Sequence, residues 1–520
     1  MYEWFKSYSV IGLRETMDFP EIPLYHFLEN SAKEFPDNIG CSFLEKEFRY
    51  SEMLEYTNRL ASYVSKFVEK GDRVLINLPN CPEFIIAENA VLKCGGIASI
   101  TNPLQGKAEA KRCVERVSPK LVISTEVVCE DVPHIVVEHR EKDEFWETIE
   151  SSEAKEIRVP INPKEDVAVI LFTGGVTGLP KGVMLTHYNI TTNVMQVLPW
   201  ILGGAADAFK ANPVLLALPI SHSYGHWALQ SALHWAMNII MIPDPRNYDD
   251  IAEKVNKYKP IMVVGVPKQY MKLLNKNMDI LLAISGSAPL PKAVAEKYSE
   301  KYPVPLVEGY GLTETSPVTH VNIFAIARFL GRDVDAKLGS IGVPVVGTEA
   351  VIVKEDGTPA KPGEVGELYI RGPQVMKGYW NAESPVTRDG WLPTGDLAYM
   401  DEDGFFFIVG RLKEMINVSG YKVYPRVVEE LLMKHPAVEI AAVIGVPRAD
   451  GTELVKAFVK LKDGEKATPE ELIAFCAKEL PKYAVPREIE IRDSLPMNYV
   501  QKVLKRLLLE EELRKQKDLR

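Results

Sequence analysis

A wholly apolar run, Val167 to Phe172, gives way to a loop of small residues that ends at Pro180 and Lys181. The run is rich in β-branched residues, which is typical of a strand buried on both faces of a sheet. The loop contains Thr173, Gly174, Gly175, Val176, Thr177 and Gly178. Glycines let the backbone turn its N–H groups inward around an anion, threonine hydroxyls add donors, and a lysine supplies the counter-charge. The stretch therefore predicts a phosphate-binding loop after a buried strand.

The loop differs from two better-known phosphate-binding motifs. No glycine-lysine-Ser/Thr run follows four spacer residues, as a Walker loop requires, and no GxGxxG sequence opens a helix. A polar strand-to-helix turn that binds no ligand has the same composition. The loop alone leaves both interpretations open.

Length and charge narrow the class of protein. A chain of 520 residues is too long for one hydrophobic core and predicts at least two domains. With 61 basic and 71 acidic residues the net charge is −10, so the surface has no general attraction for nucleic acid or anionic membranes. The six cysteines lack close-paired metal spacing and are sparse for a disulfide scaffold, which favours reduced thiols.

The distribution of apolar residues indicates whether the chain crosses a membrane or carries a targeting segment. The first residues do not resemble a signal peptide, and no apolar run approaches the roughly 20 residues that span a bilayer. We therefore expect a soluble, cytoplasmic protein that binds no nucleic acid and makes no integral membrane contact. A homo-oligomer remains open.

Strand and helix patterns alternate on both sides of the glycine loop, which is typical of parallel α/β sheets. Before the loop, strands are predicted at 73–78, 97–100, 121–124 and 134–137, and helices at 51–70, 82–93 and 107–116. After it, strands are predicted at 214–218, 261–264 and 280–284, and helices at 227–237 and 291–301. The repetition predicts two related α/β layers in one large N-terminal region.

The pattern changes from Gly339 onwards. Short β-rich segments at 349–353, 367–371, 397–400 and 405–409 alternate with turns, which predicts a small barrel-like or antiparallel module. After Arg411 the order helix, two strands, helix, strand predicts a compact α+β domain that ends in a charged helix from Val503. We place the boundary at Leu412, so that residues 1–411 form the N-terminal domain and 412–520 the C-terminal domain.

Two further stretches of small and polar residues follow predicted strands, at 285–290 (SGSAPL) and 308–314 (EGYGLTE). Ligands in open α/β sheets bind beyond the carboxyl ends of strands, so we expect these loops and the glycine loop to converge on one nucleotide. Tyr310 offers a stacking face, Thr313 a phosphate donor and Glu314 a hard oxygen ligand for Mg²⁺. Each alone fits an ordinary turn, whereas together they predict a nucleotide site.

A longer set of motifs extends this prediction over roughly two-thirds of the chain. In order, the sequence contains FTGGVTGLPKGV, LPISHSYG, SGSAPL, EGYGLTET, GELYIRGP, the turn Thr394-Gly395-Asp396, GRLKEMINVSGYKVYP and LPMNYVQKVLK. This set resembles the adenylate-forming superfamily of acyl-CoA synthetases, luciferases and nonribosomal adenylation domains. The segments SGYKVYP and PAVEIAAVIGVP are similar to fatty-acid-type acyl-CoA ligases, which favours an aliphatic acid.

The resemblance implies a two-step reaction. A carboxylate attacks the α-phosphorus of ATP and displaces pyrophosphate, and the thiol of CoA then attacks the acyl-adenylate and displaces AMP. It also implies a small mobile C-terminal domain that carries a catalytic lysine. ATP and CoA would be substrates, with Mg²⁺ as the metal cofactor.

The resemblance also implies roles for single residues. The β- and γ-phosphates would be held by Thr173, Gly174, Gly175, Val176, Thr177, Gly178 and Lys181. The ATP site would further include Gly286, Ser287, Ala288, Glu308, Gly309, Tyr310, Gly311, Leu312, Thr313, Asp396, Arg411 and Lys502. In that site Tyr310 would stack on the adenine and Thr313 would bind the α-phosphate. Glu314 and Thr173 would hold Mg²⁺, and Asp396 would accept from the ribose hydroxyls.

The remaining implied roles concern the acid, the thiol and domain movement. His222 would lie near the acyl carboxylate, in a pocket that includes Ser223, Tyr224, Gly225, Gly311 and Ser316. Lys502 would span the carboxylate and the α-phosphate during adenylation, and Lys413 would be the hinge of the C-terminal domain. The CoA tunnel would be lined by Val418, Ser419 and Gly420. An isolated histidine or surface lysine is ordinarily structural or solvated, so these roles depend on the resemblance.

The sequence departs from the family pattern in two motifs. The family loop usually carries Ser or Thr where this chain has Gly174 and Val176. Before the lysine that corresponds to Lys502, the family usually has Gly where this chain has Gln501. We expect weaker pyrophosphate contacts and an intact reaction, because backbone N–H groups, two threonines and the lysine of the loop remain. The alternatives are an adenylation enzyme that loads a separate carrier protein, an aryl-CoA ligase, and a non-catalytic nucleotide-binding relative.

Overall fold

The computed structural model describes residues 2–139, 143–173, 180–203, 209–274, 276, 282–302, 306–329, 331–448, 451–498 and 502–518. The chain divides into two compact units, which are described separately. The first comprises Met1–Ala350 and Ile370–Leu392, and the second comprises Val351–Tyr369 and Pro393–Arg520. No helix within the described ranges is long and apolar enough to cross a membrane.

The helices are α1 (Phe5–Ile11), α2 (His26–Glu34), α3 (Tyr50–Val64), α4 (Pro82–Lys93), α5 (Lys107–Val117), α6 (Glu144–Glu150), α7 (His187–Met195), α8 (Leu198–Leu202), α9 (Ser223–His234), α10 (Tyr248–Tyr258), α11 (Pro267–Leu273), α12 (Lys292–Lys301), α13 (Ile323–Phe329), α14 (Pro425–Met433), α15 (Pro469–Ala477) and α16 (Lys505–Asp518). Short 3₁₀ helices span Pro103–Gln105, Thr313–Thr315 and Leu412–Glu414.

The strands are β1 (Ile39–Phe43), β2 (Lys46–Arg49), β3 (Arg73–Asn77), β4 (Ile97–Thr101), β5 (Leu121–Ser124), β6 (His134–Val136), β7 (Val167–Thr173), β8 (Lys181–Thr186), β9 (Pro213–Leu216), β10 (Asn238–Met241), β11 (Met262–Gly265), β12 (Leu282–Ser285), β13 (Leu306–Gly311), β14 (Val318–Val321), β15 (Val343–Pro344), β16 (Glu349–Val353), β17 (Gly366–Arg371), β18 (Gly378–Tyr379), β19 (Leu392–Met400), β20 (Phe406–Arg411), β21 (Ile416–Val418), β22 (Tyr421–Val423), β23 (Val438–Pro447), β24 (Glu453–Leu461) and β25 (Glu488–Ile491).

The first unit contains two large sheets. One has the strand order β15-β14-β13-β12-β11-β9-β10-β1-β2, and its strands from β13 to β1 are parallel. The other has the order β18-β8-β7-β4-β3-β5-β6, and its strands from β7 to β6 are parallel. Antiparallel strands extend both sheets beyond these parallel strands: β14 and β15 at one end of the first sheet, β2 at its other end, and β8 and β18 in the second sheet. The predicted fold class, two α/β layers followed by a small α+β part, is confirmed.

Helix α4 is buried on every side, which suits its largely apolar sequence. It nevertheless carries three charged side chains, of which Glu88 and Lys93 are each paired, because an unpaired buried charge is costly. Glu88 accepts from Gln230 Nε2 at 2.9 Å and lies 2.5 Å from His226 Nε2. Lys93 pairs with Glu29. The Glu88 contacts fix α9 against α4 and so hold the N-terminus of α9 in place.

The second unit combines three smaller sheets. The first sheet has the strand order β16-β17-β19-β20, the second is the hairpin β21-β22, and the third has the order β23-β24-β25. Helices α14 and α15 pack on β23 and β24 through a buried apolar cluster that includes Val428, Leu432, Val443, Ala457 and Leu472. Leu508 of α16 joins a second cluster with Phe458.

Several local predictions differ from the structure; the helix predicted at 51–70, for example, ends at Val64. The residues Glu308 to Gly311, predicted as a loop, continue strand β13, because antiparallel β14 supplies their hydrogen-bond partners at Gly309↔Val321 and Tyr310↔His320. The glycine loop joins β7 to antiparallel β8, so the strand-to-helix interpretation is wrong. The helix predicted at 227–237 begins at Ser223 and ends at His234.

Candidate active site

His222 stands directly before α9 and caps its N-terminus. Its Nδ1 accepts a hydrogen bond from the backbone N–H of Tyr224 at 3.3 Å, and its Nε2 lies 3.4 Å from Ser287 Oγ. A ring that accepts at Nδ1 carries its proton at Nε2 when neutral, and the capping bond fixes the ring orientation. His222 therefore presents an N–H donor towards the loop that follows β12.

The next two residues of α9 reach the other predicted loops. Ser223 Oγ lies 3.2 Å from Thr313 Oγ1, and the Tyr224 hydroxyl donates to the carbonyl of Ile284 at 2.9 Å. Complete burial raises the pKa of Tyr224, so its hydroxyl remains a protonated donor. The structure thus brings together the start of α9, the loop after β12 and the segment after β13.

Close backbone approaches explain two glycines of this cluster. A Cβ at Gly225 would lie 2.2 Å from the carbonyl oxygen of Pro219, and a Cβ at Gly311 would lie 1.7 Å from that of Pro317. Both distances are shorter than any van der Waals contact, so neither position accepts a side chain without backbone movement. Gly311 therefore lets the segment before Thr313 pass close to Pro317, and Ser316 is held nearby by its bond to the Gln374 carbonyl at 2.9 Å.

Replacement of Gly311 by alanine is expected to lower the free energy of unfolding by about 1–3 kcal/mol, because the new methyl group displaces the backbone at Pro317. Gly309→Ala is a matched control in the same strand, since its Cβ would come no closer than 3.8 Å to the nearest atom. Urea denaturation of both variants measures the difference. Equal losses of stability would contradict the steric argument.

Strand β13 places Tyr310 opposite His320, with the rings edge to face at 5.9 Å. Complete burial lowers the pKa of His320 to about 3, so this neighbour is neutral. Glu308 is buried, and its Oε1 accepts from the backbone N–H of Leu290 at 3.1 Å. Glu308 therefore ties the end of the SGSAPL loop to β13, while Ser287 and Ala288 remain partly exposed.

The glycine loop is anchored at both ends by a strand pair. Thr173, the last residue of β7, lies opposite Lys181, the first residue of β8. A threonine and a lysine therefore lie opposite each other at the adjoining ends of the two strands. Five residues predicted to bind phosphate lie outside the described residues: Gly174, Gly175, Val176, Thr177 and Gly178.

Tyr379 connects Lys181 to Glu314. The Tyr379 hydroxyl donates to Glu314 Oε1 at 2.7 Å, and the Lys181 ammonium group lies over the Tyr379 ring at 4.7 Å. Burial and the charge of Glu314 raise the pKa of Tyr379, so the hydroxyl stays a donor. We call these three residues the Lys181–Tyr379–Glu314 bridge. The bridge links the seven-stranded sheet, through β8 and β18, to the segment that follows β13.

In the second unit, Asp396 and Arg411 are opposite each other on β19 and β20. The carboxylate of Asp396 is buried, and its Oδ1 lies 3.1 Å from Arg411 Nε, whose side chain is exposed. The predicted turn Thr394-Gly395-Asp396 lies within strand β19, where Glu367 accepts from the N–H of Gly395 at 3.0 Å and Thr394 donates to the Leu368 carbonyl. The pair presents an acidic and a basic group side by side.

Lys502 lies three residues before the start of α16. Its backbone N–H donates to Asn498 Oδ1 at 2.8 Å, and its carbonyl accepts from the Asn498 N–H at 2.9 Å. Three residues further on, Lys505 pairs with Glu414 at 2.7 Å and Glu429 at 2.8 Å. Because Glu414 follows Lys413, this cluster ties the lysine segment to the predicted hinge.

Burial and neighbouring charges together set the pKa values of Lys502 and Glu414. The surrounding protein desolvates Lys502 and lowers its pKa, and the nearby Arg411 adds to this effect, although part of the side chain reaches solvent. Burial alone would raise the pKa of Glu414, but Lys505, Arg411 and Lys502 together lower it below its ordinary value. Lys502 therefore releases its proton more readily than a free lysine does.

The residues predicted to line the CoA tunnel form a tight hairpin turn in the second unit. Val418 ends β21 and lies opposite Tyr421 of β22, and Ser419 and Gly420 form the turn with φ of 51° and 89°. Asn417 Oδ1 accepts from the Gly420 N–H at 2.8 Å. Lys413 is exposed in the 3₁₀ helix Leu412–Glu414.

Sequence comparisons bear directly on this site. The profile of the family described as "AMP-binding enzyme" matches residues 28–380, and that of the "AMP-binding enzyme C-terminal domain" matches residues 427–502. The chain belongs to the AMP-binding enzyme family. The predicted membership of the adenylate-forming superfamily is thereby confirmed, and the matched ranges contain the bridge, the start of α9 and Lys502.

Relatives of this AMP-binding enzyme extend over nearly its whole length. It is 37% identical to the long-chain-fatty-acid–CoA ligase of Bacillus subtilis (strain 168), over 95% of this chain and 96% of the relative. Its fold is similar to the crystal structure of ATP-bound MatB from Rhodopseudomonas palustris, with 26% identity, a TM-score of 0.84 and coverage of 95% and 99%. It is also similar to o-succinylbenzoate coenzyme A synthetase (MenE) from Bacillus subtilis in complex with ATP and magnesium ion, with 27% identity, a TM-score of 0.81 and coverage of 94% and 100%.

Two residues of the AMP-binding enzyme, Tyr379 and Lys505, were not singled out from its sequence. Tyr379 follows Gly378 in a two-residue strand, and Lys505 lies in a charged helix. Their contacts with Glu314 and Glu414 join positions far apart in the chain. A local pattern carries no signal for either contact.

Proposed function

We propose that this protein is an AMP-forming acyl-CoA synthetase that activates a fatty or other aliphatic acid with ATP and transfers the acyl group to CoA. The convergence of His222, Ser223 and Thr313 carries the proposal, because it assembles donors for an acyl carboxylate and a phosphate in one place. Full-length similarity to a long-chain-fatty-acid–CoA ligase supports the substrate class.

In the first step, the acid's carboxylate attacks the α-phosphorus of ATP while pyrophosphate leaves. Both reactants are anionic, and charge builds on the non-bridging oxygens, so fixed donors and cations lower the barrier. We assign Lys181 and Thr173 to the departing phosphates and Thr313 to the α-phosphate. Lys502, from the second unit, would neutralise the carboxylate and the α-phosphate together.

The imidazole of His222 supplies orientation. Its Nδ1 accepts from the backbone of α9, so its Nε2 is the ring nitrogen that would turn from Ser287 to an incoming carboxylate. Such a donor would align the acid for attack. Tyr310 would provide the stacking face for adenine, and Asp396 with Arg411 would bind the ribose.

Glu314 with Thr173 fits a Mg²⁺ ion in donor chemistry, since carboxylate and hydroxyl oxygens are the hard ligands that this ion takes. Glu314 is half-buried, and Tyr379 holds one of its oxygens, which orients the carboxylate. A bound Mg²⁺ ion supplies charge neutralisation on the phosphates.

In the second step, the thiol of CoA attacks the acyl-adenylate and AMP leaves. We propose that residues 412–520 move about Lys413 between the two steps, and that Val418, Ser419 and Gly420 then line the path of the thiol. The Lys505–Glu414 pair supports this assignment, because it couples the segment of Lys502 to the residue after the hinge.

Pyrophosphate release across a panel of carboxylic acids, with and without CoA, tests the proposal. We expect release with aliphatic acids and acyl-CoA formation when CoA is present. Release without acyl transfer to CoA would favour an enzyme that loads a carrier protein, and a preference for aromatic acids would favour an aryl-CoA ligase. No release with any acid would favour a non-catalytic relative, the alternative that Gly174 and Val176 suggest.

Replacement of Tyr379 by phenylalanine is expected to weaken the apparent Mg²⁺ affinity of the adenylation reaction by about 10–100-fold, because Glu314 loses the hydroxyl that orients it. Adenylation rates at a series of Mg²⁺ concentrations measure the effect. Tyr302→Phe is the matched control, since it also removes a hydroxyl, bonded to the Leu273 carbonyl at 3.1 Å, but away from Glu314. An unchanged Mg²⁺ dependence in Tyr379→Phe would refute the positioning role.

We also propose a cytoplasmic location. All six cysteines carry free thiols, which suits a reducing compartment. The net charge of −10 gives no general attraction to anionic membranes. Fractionation of cells tests this proposal: recovery of the protein with the membrane pellet would overturn it.

A further inference from the structure

A second group of reactive side chains lies at the N-terminus of α4. Cys81 is the residue that caps this helix, Glu83 lies in its first turn, and His139 follows strand β6. One ligand atom from each, the sulfur, a carboxylate oxygen and a ring nitrogen, lies within 4.8 Å of the other two. None of the three has a part in the adenylation chemistry proposed above.

Glu83 has an unsatisfied oxygen that points to a ligand. Only 4% of the residue is exposed, and its Oε1 accepts from Trp146 Nε1 at 3.3 Å. Its Oε2 is buried without a hydrogen-bond donor in the described part of the chain, and lies 3.7 Å from His139 Nδ1. A buried carboxylate oxygen without a donor is costly, and a bound cation removes that cost.

The ligand types identify the class of cation. Thiolate, imidazole and carboxylate together suit Zn²⁺, which binds such ligands at about 2.0–2.3 Å and places them roughly 3.5 Å apart around a tetrahedron. Closing the group from 4.8 Å requires side-chain movements of roughly 1 Å. A thiolate and a carboxylate also balance the ion's charge, so the buried site would be neutral.

We propose that Cys81, Glu83 and His139 form a binding site for a Zn²⁺-class cation. Binding releases the thiol proton of Cys81 to solvent and forms bonds from Sγ, a Glu83 oxygen and a His139 nitrogen to the ion. His139 is partly exposed, so a water molecule has access to the fourth position.

This site is joined to the start of α9 through the neighbouring Asn80. The Asn80 side chain donates to the Leu218 carbonyl at 2.7 Å and accepts from the Ile220 N–H at 2.9 Å. Those residues lead directly into His222. A metal at Cys81 therefore fixes the loop that supports the N-terminus of α9, and its expected effect is greater stability.

Metal binding to the full chain tests the proposal. After removal of metals with a chelator, Zn²⁺ is titrated in competition with a chromogenic chelator, and Co²⁺ is added separately to detect thiolate charge-transfer absorption. We expect one tight site per chain, a higher unfolding temperature with Zn²⁺, and at least about tenfold weaker binding in Cys81→Ser and His139→Ala. Cys113→Ser, which also removes a buried thiol, is expected to bind like the parent.

His139→Ala keeps the test decisive if Cys81→Ser folds poorly, because the His139 side chain is partly exposed. Absence of a tight Zn²⁺ site, or equal affinity in the parent and His139→Ala, would overturn the proposal. Metal content and unfolding temperature are read without substrates, so the result is independent of the acyl-CoA synthetase activity.

Discussion

Lys502→Ala is expected to abolish acyl-adenylate formation, with a loss of about 10³–10⁵-fold in kcat/KM, and to leave thioester formation from supplied acyl-adenylate largely intact. The first half-reaction brings two anions together and needs a cation between them, whereas the adenylate in the second is already formed. Pyrophosphate release measures the first half-reaction, and acyl-CoA formation from synthetic adenylate measures the second.

Lys482→Ala provides the control, since Lys482 is an exposed lysine of the same unit. It is expected to leave both half-reactions unchanged. Equal loss of the two half-reactions in Lys502→Ala would show a general effect on folding or domain placement and would remove the specific role assigned to Lys502.

The lowered pKa of Lys502 gives this role a pH signature. Desolvation by nearby protein atoms and the charge of Arg411 place the pKa of the exposed Lys502 below the ordinary value of 10.5, and the protonated form is the one that neutralises the reactants. Adenylation is therefore lost as pH rises through a lower pKa than that of a free lysine. Thioester formation from supplied adenylate should instead increase on the alkaline side, as the CoA thiol ionises. A shared alkaline decline of both half-reactions would contradict the assignment.

Local sequence patterns predicted the regular elements well where the physical cause is local. The helix Pro82–Lys93 and the strand Leu121–Ser124 have the predicted bounds, because proline opens the helix and both segments are largely apolar stretches between turns. Two of the three small-residue motifs, those after β12 and at the end of β13, likewise lie near His222 as predicted. Their composition reflects close backbone approach, as the 1.7 Å clash at Gly311 illustrates.

The missed features depend on contacts between distant parts of the chain. Glycines disfavour strands, so Glu308 to Gly311 has no local strand signal and becomes one only beside β14. Helix α9 begins at Ser223 because His222 caps it, and histidine is not among the usual capping residues. Tyr379 reaches Glu314 only because the antiparallel pairing of β18 with β8 brings it there.

Glu314→Gln is expected to reduce kcat/KM for adenylation by about 10²–10³-fold, because the amide keeps the shape of the side chain but loses the charge that would bind Mg²⁺. Its unfolding temperature should match the parent, since the amide oxygen still accepts from Tyr379. Adenylation rates at saturating acid and increasing Mg²⁺ measure the loss.

The double variant Glu314→Gln/Tyr379→Phe separates two explanations of the Lys181–Tyr379–Glu314 bridge. If Tyr379 acts only by orienting the carboxylate, its hydroxyl contributes little once the charge is gone, and the double variant should be about as active as Glu314→Gln alone. Fully additive losses would show that Tyr379 acts independently, through the Lys181 ammonium group that lies over its ring. The coupling energy between positions 314 and 379 therefore decides whether the bridge works as one unit. In such a unit, Tyr379 positions both the Lys181 ammonium group and the Glu314 carboxylate.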